Sequence, residues 1–421
     1  MVQAEFDLTD PDRVATDEIH PYLKYLRTHA PISRLRSHSG KEYWVVVKYR
    51  DIMRVWNEPE TFSSERAPIS LSEHAAFDQG RGKLMILTDP PRHMKQRNIF
   101  KGRFTPRGVK VDWEGLTRRI AQGLYADAAA KGECDFVADV AGKLPRALIC
   151  EVMGVLPEDR PRIEQLGDMS VAGHDPEYQK LLPPEDRIGT PEEIADRCQA
   201  YAMREMAAYF GQQIVDRRKH PRNDLFTVLA TAVIDDVPLT DEEAVYNCVL
   251  LLDAGLDTTR NALSGGIRAL LAHPDQLDRL AGDPALVKSA IEEFLRWTSP
   301  AYHNLRVVTR KTELRGQALE PGDTLTLWGV SANRDEEIFP GADRFDIGRW
   351  PNEHLAFGYG EHSCIGAHLA RLELRVGLEE ALPYLRHIEM TGPIERMRSL
   401  SVPGIKHMPV RFAVGPQPVA A

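Results

Sequence analysis

One stretch of this chain constrains its fold more than any other. Thr240 precedes Glu243 by three residues, a spacing that forms a reciprocal capping box in which hydroxyl and carboxylate each accept an orphaned backbone N–H. The apolar run Val249-Leu250-Leu251-Leu252 follows, and the helical pattern holds to His273, where Pro274 ends it. The pattern predicts a helix of about 33 residues, roughly 50 Å long at 1.5 Å per residue. So long and apolar a helix has to be surrounded by other elements, which predicts that it crosses the middle of the molecule.

The flanks are of two kinds. From about residue 106 to 273 helical periodicity dominates. Residues 41–49, 305–314 and 324–328 read as strands, with Pro321-Gly322-Asp323 as a turn, and a further helix is predicted over 367–382. The expected fold class is mainly α with a smaller β region (α+β), the β-rich portions lying at about 35–50 and 303–330. No linker tract or internal repeat divides the 421 residues, so 1–421 reads as a single domain.

Composition removes several functions. Charged residues at 27% and hydrophobic residues at 43% are those of a folded globular chain. No apolar run approaches the roughly 18 residues that span a bilayer. The acidic start, Met1 to Asp7, lacks the basic and apolar parts of a signal peptide, so no membrane association and a cytoplasmic location are expected. A net charge of −9 argues against nucleic-acid binding. Cys134, Cys150, Cys198, Cys248 and Cys364 are odd in number and scattered, which leaves no zinc or dithiol spacing. If one cysteine does chemistry, it acts alone.

That cysteine is singled out by its surroundings, Phe357-Gly358-Tyr359-Gly360-Glu361-His362-Ser363-Cys364-Ile365-Gly366. Glycines on both sides allow the backbone to wrap a flat or large group. The predicted helix from Ala367 points backbone N–H groups toward the sulfur and favours a thiolate. The run resembles the haem-binding loop of the cytochrome P-450 family, Phe-Gly-x-Gly-x-His-x-Cys-x-Gly, at every fixed position. The resemblance implies a fold that holds haem between the long central helix and the cysteine loop, with Cys364 as the axial thiolate. Such a ligand pushes electron density onto iron and favours O–O cleavage.

Three further segments resemble the family in order along the chain. Glu293-Phe294-Leu295-Arg296 alone would be an ordinary surface ion pair. With Asp343-Arg344-Phe345-Asp346 it matches two family signatures, which implies a buried structural network of Glu293, Arg296 and Arg344. Ala254-Gly255-Leu256-Asp257-Thr258-Thr259 resembles the oxygen-binding groove. There Gly255 would let the helix widen, Thr258 would hydrogen-bond dioxygen, and Asp257 would relay protons from solvent. His93 and Arg97, with Arg306 and His362, are implied as partners of the haem propionates, and Phe357 and Gly366 as further contacts in the haem loop.

The resemblance covers about Pro21 to Val414 and implies a bacterial-type haem-thiolate monooxygenase. It would carry heme b and insert one oxygen atom of O2 into a small organic substrate. With no flavin or dinucleotide fingerprint in the chain, electrons are expected from a ferredoxin and an NAD(P)H-dependent ferredoxin reductase. A peroxide-driven haem oxygenase and a haem-thiolate sensor are the alternatives. Substrate contacts are expected at Ala254, Tyr302, His303 and Asn304, whose polar and aromatic side chains suit a substrate with hydrogen-bonding groups. Arg92, Lys95, Arg97, Lys101, Arg103, Arg107 and Lys110 form a run without Asp or Glu. It is read as the dock for an acidic ferredoxin, with Lys95, Lys101 and Arg103 foremost.

Overall fold

Helices carry most of the chain in the computed structural model, which describes residues 6–37, 40–69, 71 and 76–413. Residues 1–5 of the acidic start, and Val414, lie outside the described residues. The long central helix runs Asp241–Ala272 and starts with the expected capping box. The Thr240 hydroxyl accepts from the Glu243 N–H, and the Glu243 carboxylate accepts from the Thr240 N–H. Leu252, Leu256, Leu263 and Ile267 on this helix are fully buried, each contributing about 1.5–3 kcal/mol against the exposed state. The helices Lys143–Met153, Pro191–Lys219, Val287–Thr298 and Ala367–Ala381 pack around it. The first residue of the wrapping shell is set by glycine. A Cβ on Gly255 would lie 2.7 Å from Ile149, and one on Gly266 would lie 2.0 Å from the Phe294 ring. Gly255 therefore serves the close approach of helix Lys143–Met153, a packing role in place of the expected widening of the groove.

The β region is a five-stranded sheet of β1 (Ile32–Arg36), β2 (Glu42–Val46), β3 (Phe62–Ser63), β4 (Asn304–Val308) and β5 (Thr324–Leu327), in the order β1-β2-β5-β4-β3. β5 runs parallel to β2 and antiparallel to β4, with Leu325 opposite both Trp44 and Arg306. This register joins the two ends of the chain and fixes Arg306 in the sheet. The strand expected over 305–314 is broken. It ends at Val308, and Thr312–Leu314 forms its own hairpin with Gln317–Leu319. Arg315-Gly316, at φ 47° and 79°, has the left-handed geometry of that hairpin's tight two-residue turn. A second sheet of Ile388–Met390, Pro409–Phe412 and Glu133–Asp135 has no counterpart in the sequence reading, since its strands are only three or four residues long.

Candidate active site

The cysteine loop is held by its own backbone. The Cys364 N–H donates to the Phe357 carbonyl at 2.7 Å, and Gly358 and Gly360 take φ of 69° and 71°. At Gly360 glycine is required twice over, because a Cβ would also come within 3.1 Å of the Trp56 carbonyl. The loop feeds helix Ala367–Ala381 through Gly366 at its N-cap. Cys364 is exposed along the chain surface, while the protein massed around it raises its thiol pKa. The Gly366 N–H, Arg97 and Arg371 pull the other way. Phe357 lies under the Arg371 guanidinium, 4.5 Å from ring centre to carbon, and Arg371 is clamped by Glu292 at 2.7 and 2.9 Å.

Beside this loop sits a group of cations and imidazoles. The one acid whose charge reaches His93 and Arg306 among the described residues is Asp89, whose carboxylate is taken up by the Ser63 hydroxyl and the Ser64 and Glu65 N–H groups. The rings of His93 and His362 stack at 3.8 Å. Arg97 reaches Ser363 at 3.5 Å, and buried Arg306 donates only to the Leu305 carbonyl. Among the described residues neither arginine has a carboxylate within ion-pair distance. Burial, with Arg306, His93 and Arg97 alongside, pushes His362 down to about 2; burial with Arg97 and Arg306 pushes His93 down to about 4. Burial also lowers Arg306 to about 10. Buried guanidinium groups are costly without anionic partners, so this cluster fits two carboxylates of a flat ligand. It brings together all four residues implied as propionate partners. Among the described residues no group of three or more His, Cys, Asp or Glu could hold a metal ion.

On the central helix the Thr258 hydroxyl donates to the Ala254 carbonyl at 2.9 Å. Asp257 is 1% exposed, so it has no direct opening to solvent. Arg260 Nη2 stands 3.0 Å from its Oδ1, close enough for an ion pair although not aligned as a hydrogen bond. Arg260 also meets Asp168, which Arg146 holds at 2.5 Å.

Ala254, Asp257, Thr258, His303, Asn304 and Arg306 line one cavity of about 240 Å³. Ile86, Leu250, Val171 and Leu400 make its walls apolar. His303 stacks on Trp328 at 4.7 Å, and burial lowers its pKa to about 4. Tyr302 departs from expectation. It lines a different cavity, with Asp17, Arg268 and Arg396, in the irregular segment that leads into strand β4. Sequence reasoning missed Ser170, His174, Gln199 and Asp253, which line the first cavity. Three of them come from segments without a motif. Asp253 did carry a signal, an acid closing a run of four apolar residues.

The structural network is also corrected. Arg296 uses all five guanidinium N–H groups: two on Glu293 at 2.7 and 2.8 Å, and three on the carbonyls of Asn333, Ala342 and Arg344. The Arg344 side chain is 70% exposed and pairs with Asp346, so that residue offers the network only its carbonyl. Arg349 supplies the second guanidinium, 3.1 Å from Glu293 and 9% exposed. The Asp346-to-Arg349 turn carries it inward, with Gly348 and Arg349 N–H groups capped on Asp346.

The family profile described as Cytochrome P450 matches residues 12–283 and 284–404. "Cytochrome P450-terp" of a Pseudomonas species is 33% identical, over 96% of this chain and 95% of its own. "Steroid C26-monooxygenase" of Mycobacterium tuberculosis is 34% identical, over 98% of each. Among solved structures, Mycobacterium marinum cytochrome P450 CYP268A2 in complex with pseudoionone matches with TM-score 0.86 and 30% identity, covering 98% of this chain and 99% of that one.

Proposed function

The chain belongs to the cytochrome P450 family of haem oxidoreductases, and on that premise we propose that it inserts one oxygen atom of dioxygen into a neutral, terpenoid- or steroid-like molecule. Electrons come from a ferredoxin served by an NAD(P)H-dependent reductase. The observation that carries this reading is the juxtaposition of the lone cysteine loop with a cation cluster whose two arginines, among the described residues, have no carboxylate within ion-pair distance. Relatives named for a terpene and a steroid, and a similar structure holding pseudoionone, support the substrate class. So does the apolar wall of the cavity.

When bound, heme b supplies dioxygen binding and the oxidising power; the chain supplies everything around it. Cys364 would hold the iron as a thiolate. Arg97, Arg306, His93 and His362 would hold the propionates. Thr258, on giving up its bond to the Ala254 carbonyl, would turn its hydroxyl into the cavity as a proton donor. Asp257, next to it in the helix and closed to bulk water, would be the acid that resupplies that proton, and the ion pairs of Arg260, Asp168 and Arg146 hold it in place. The apolar wall excludes water while the substrate is held.

The test is Cys364→Ser. The reduced carbonyl complex of the parent protein should have the red-shifted band of a thiolate ligand, and the variant should lose it. An unchanged band in the variant would remove the axial role of Cys364 and the proposed function with it.

A further inference from the structure

Asp253 is a half-buried acid that neither the cysteine loop nor the Thr258 segment uses. It stands one helical turn before Asp257 and lines the same cavity. Its one partner is Ser170, at the end of helix Arg160–Val171. Ser170 Oγ lies 2.7 Å from the Gly167 carbonyl and 3.0 Å from Asp253 Oδ2. A serine hydroxyl has a single proton, and a backbone carbonyl can only accept. Ser170 can therefore donate to only one of the two, and with its proton on the shorter contact to Gly167 the contact to Asp253 requires a proton on the carboxyl. Oδ1 of Asp253 is buried without a partner, as befits an acid and not a carboxylate.

The charges facing Asp253 agree. Asp168 on helix Arg160–Val171 and Asp257 on its own helix are matched by Arg146 and Arg260. These two carboxylates and two guanidinium groups balance without it, and among the described residues Asp253 makes no ion pair. Burial pushes its carboxyl well above the usual range and the charges of Asp257 and Asp168 push the same way; only a proton donated by Ser170 would lower it. Of the remaining polar wall only Arg306, which belongs to the cation cluster beside the cysteine loop, carries a charge. The Gln199 and Asn304 amides have no hydrogen-bond partner among the described residues, and burial lowers both His174 and His303.

We propose that Asp253 is a specificity-determining residue that works as an uncharged carboxylic acid, so that the cavity takes neutral oxygen-bearing molecules and discriminates against organic cations. The inference rests on reading this cavity as the substrate site. An alcohol or ketone finds neutral donors and acceptors there. A cation has to shed its water and also strip the proton from Asp253.

The experiment uses the holoenzyme and two probes with one carbon cage, 1-adamantanol and 1-adamantyltrimethylammonium, the second unable to ligate iron. Affinities are read from the haem spin shift. The alcohol should bind at least about tenfold more tightly, the cost of desolvating a charge without a counter-ion. Asp253→Asn should keep that preference within about twofold, because the amide is uncharged and still donates to Ser170. Infrared difference spectra should show a protonated-carboxyl band that vanishes in Asp253→Asn and shifts in Ser170→Ala. A cation that binds as tightly as the alcohol overturns the proposal. So does an infrared band indifferent to Asp253→Asn, or an alcohol that fails to bind while the thiolate carbonyl spectrum is intact. Absence of that spectrum counts against the haem reading instead, and the infrared result still decides the state of Asp253.

Discussion

Glu293 gives its two oxygens to four donors, and they are not equivalent. Arg296 is bidentate and fully buried, Arg349 is 9% exposed, and Asn352 and the Asp346 N–H complete the set. Removing a buried guanidinium leaves an uncompensated charge, at a cost of about 3–5 kcal/mol. Arg349→Leu should therefore destabilise the protein by about 3 kcal/mol, while Arg344→Ala, on an exposed side chain, should stay within about 0.5 kcal/mol. Denaturant unfolding of the two variants side by side checks this, and equal losses would return Arg344 to the network. Thr258 is a second residue whose chemistry is separable. Its hydroxyl now bonds the Ala254 carbonyl, so Thr258→Ala removes no long-range contact and the helix should persist. The variant should still consume NAD(P)H but release most of the reducing power as hydrogen peroxide, with product per NAD(P)H falling by about tenfold, within the range for loss of a positioned proton donor. Unchanged coupling would exclude Thr258 from proton delivery.

The central helix was legible because local signals agree along its whole length. The capping box, the apolar run and the stop at Pro274 each act within a few residues, and the observed bounds, Asp241–Ala272, lie within one residue of them. The same chemistry caps helix Pro191–Lys219 at Thr190 and Glu193. The cysteine loop was legible for another reason, since its glycines answer to φ and to a neighbouring carbonyl. What stayed hidden depends on contacts distant in sequence. Arg344 and Arg349 are both arginines near an acid, and only the turn at Asp346 decides which one points inward. Tyr302 and His303 lie in the irregular segment before strand β4, where no periodicity in the sequence tells which side chain faces which cavity. Gly265-Gly266 is a hidden feature of the same kind, because a glycine pair in a helix reads as weakness at about 1 kcal/mol each. Its use is the crossing with helix Val287–Thr298, where Phe294 fills the space a Cβ would occupy. Gly266→Ala gains helix propensity yet should lower stability by about 1–3 kcal/mol, the usual cost of overpacking a fixed core. Thermal unfolding checks it, and a stabilised variant would show that the Phe294 ring can yield.

Across the whole molecule the charge is −9, so any cationic face stands out against the background. The segment from Arg92 to Lys110 provides one, but the fold divides its members. Arg92 is tied to Glu243 at the start of the central helix, and Lys95 to Asp235 at 2.5 Å. Arg97 turns toward Ser363 and the cysteine loop. Lys101, Arg103, Arg107 and Lys110 make no ion pair among the described residues, and all but Arg103 are fully exposed. The free charge has thus moved away from Lys95, one of the three side chains the sequence favoured, toward Lys101, Arg107 and Lys110. Arg97 anchors this segment to the neighbour of Cys364, so a partner bound here is close to the thiolate side. An acidic ferredoxin approaching a net negative protein is repelled except at such a patch, which therefore orients it as well as attracting it. Lys101→Glu combined with Lys110→Glu should slow the first electron transfer by about tenfold or more, the range for lost electrostatic steering. Substrate affinity and the carbonyl spectrum should not change, because neither lysine touches the cavity or the cysteine loop. Raising salt past about 0.1 M, where the Debye length is near 10 Å, should slow the parent and leave the double variant nearly unaffected. Stopped-flow reduction at several ionic strengths reads both effects. If the parent and the variant fall together with salt, the ferredoxin docks on another face.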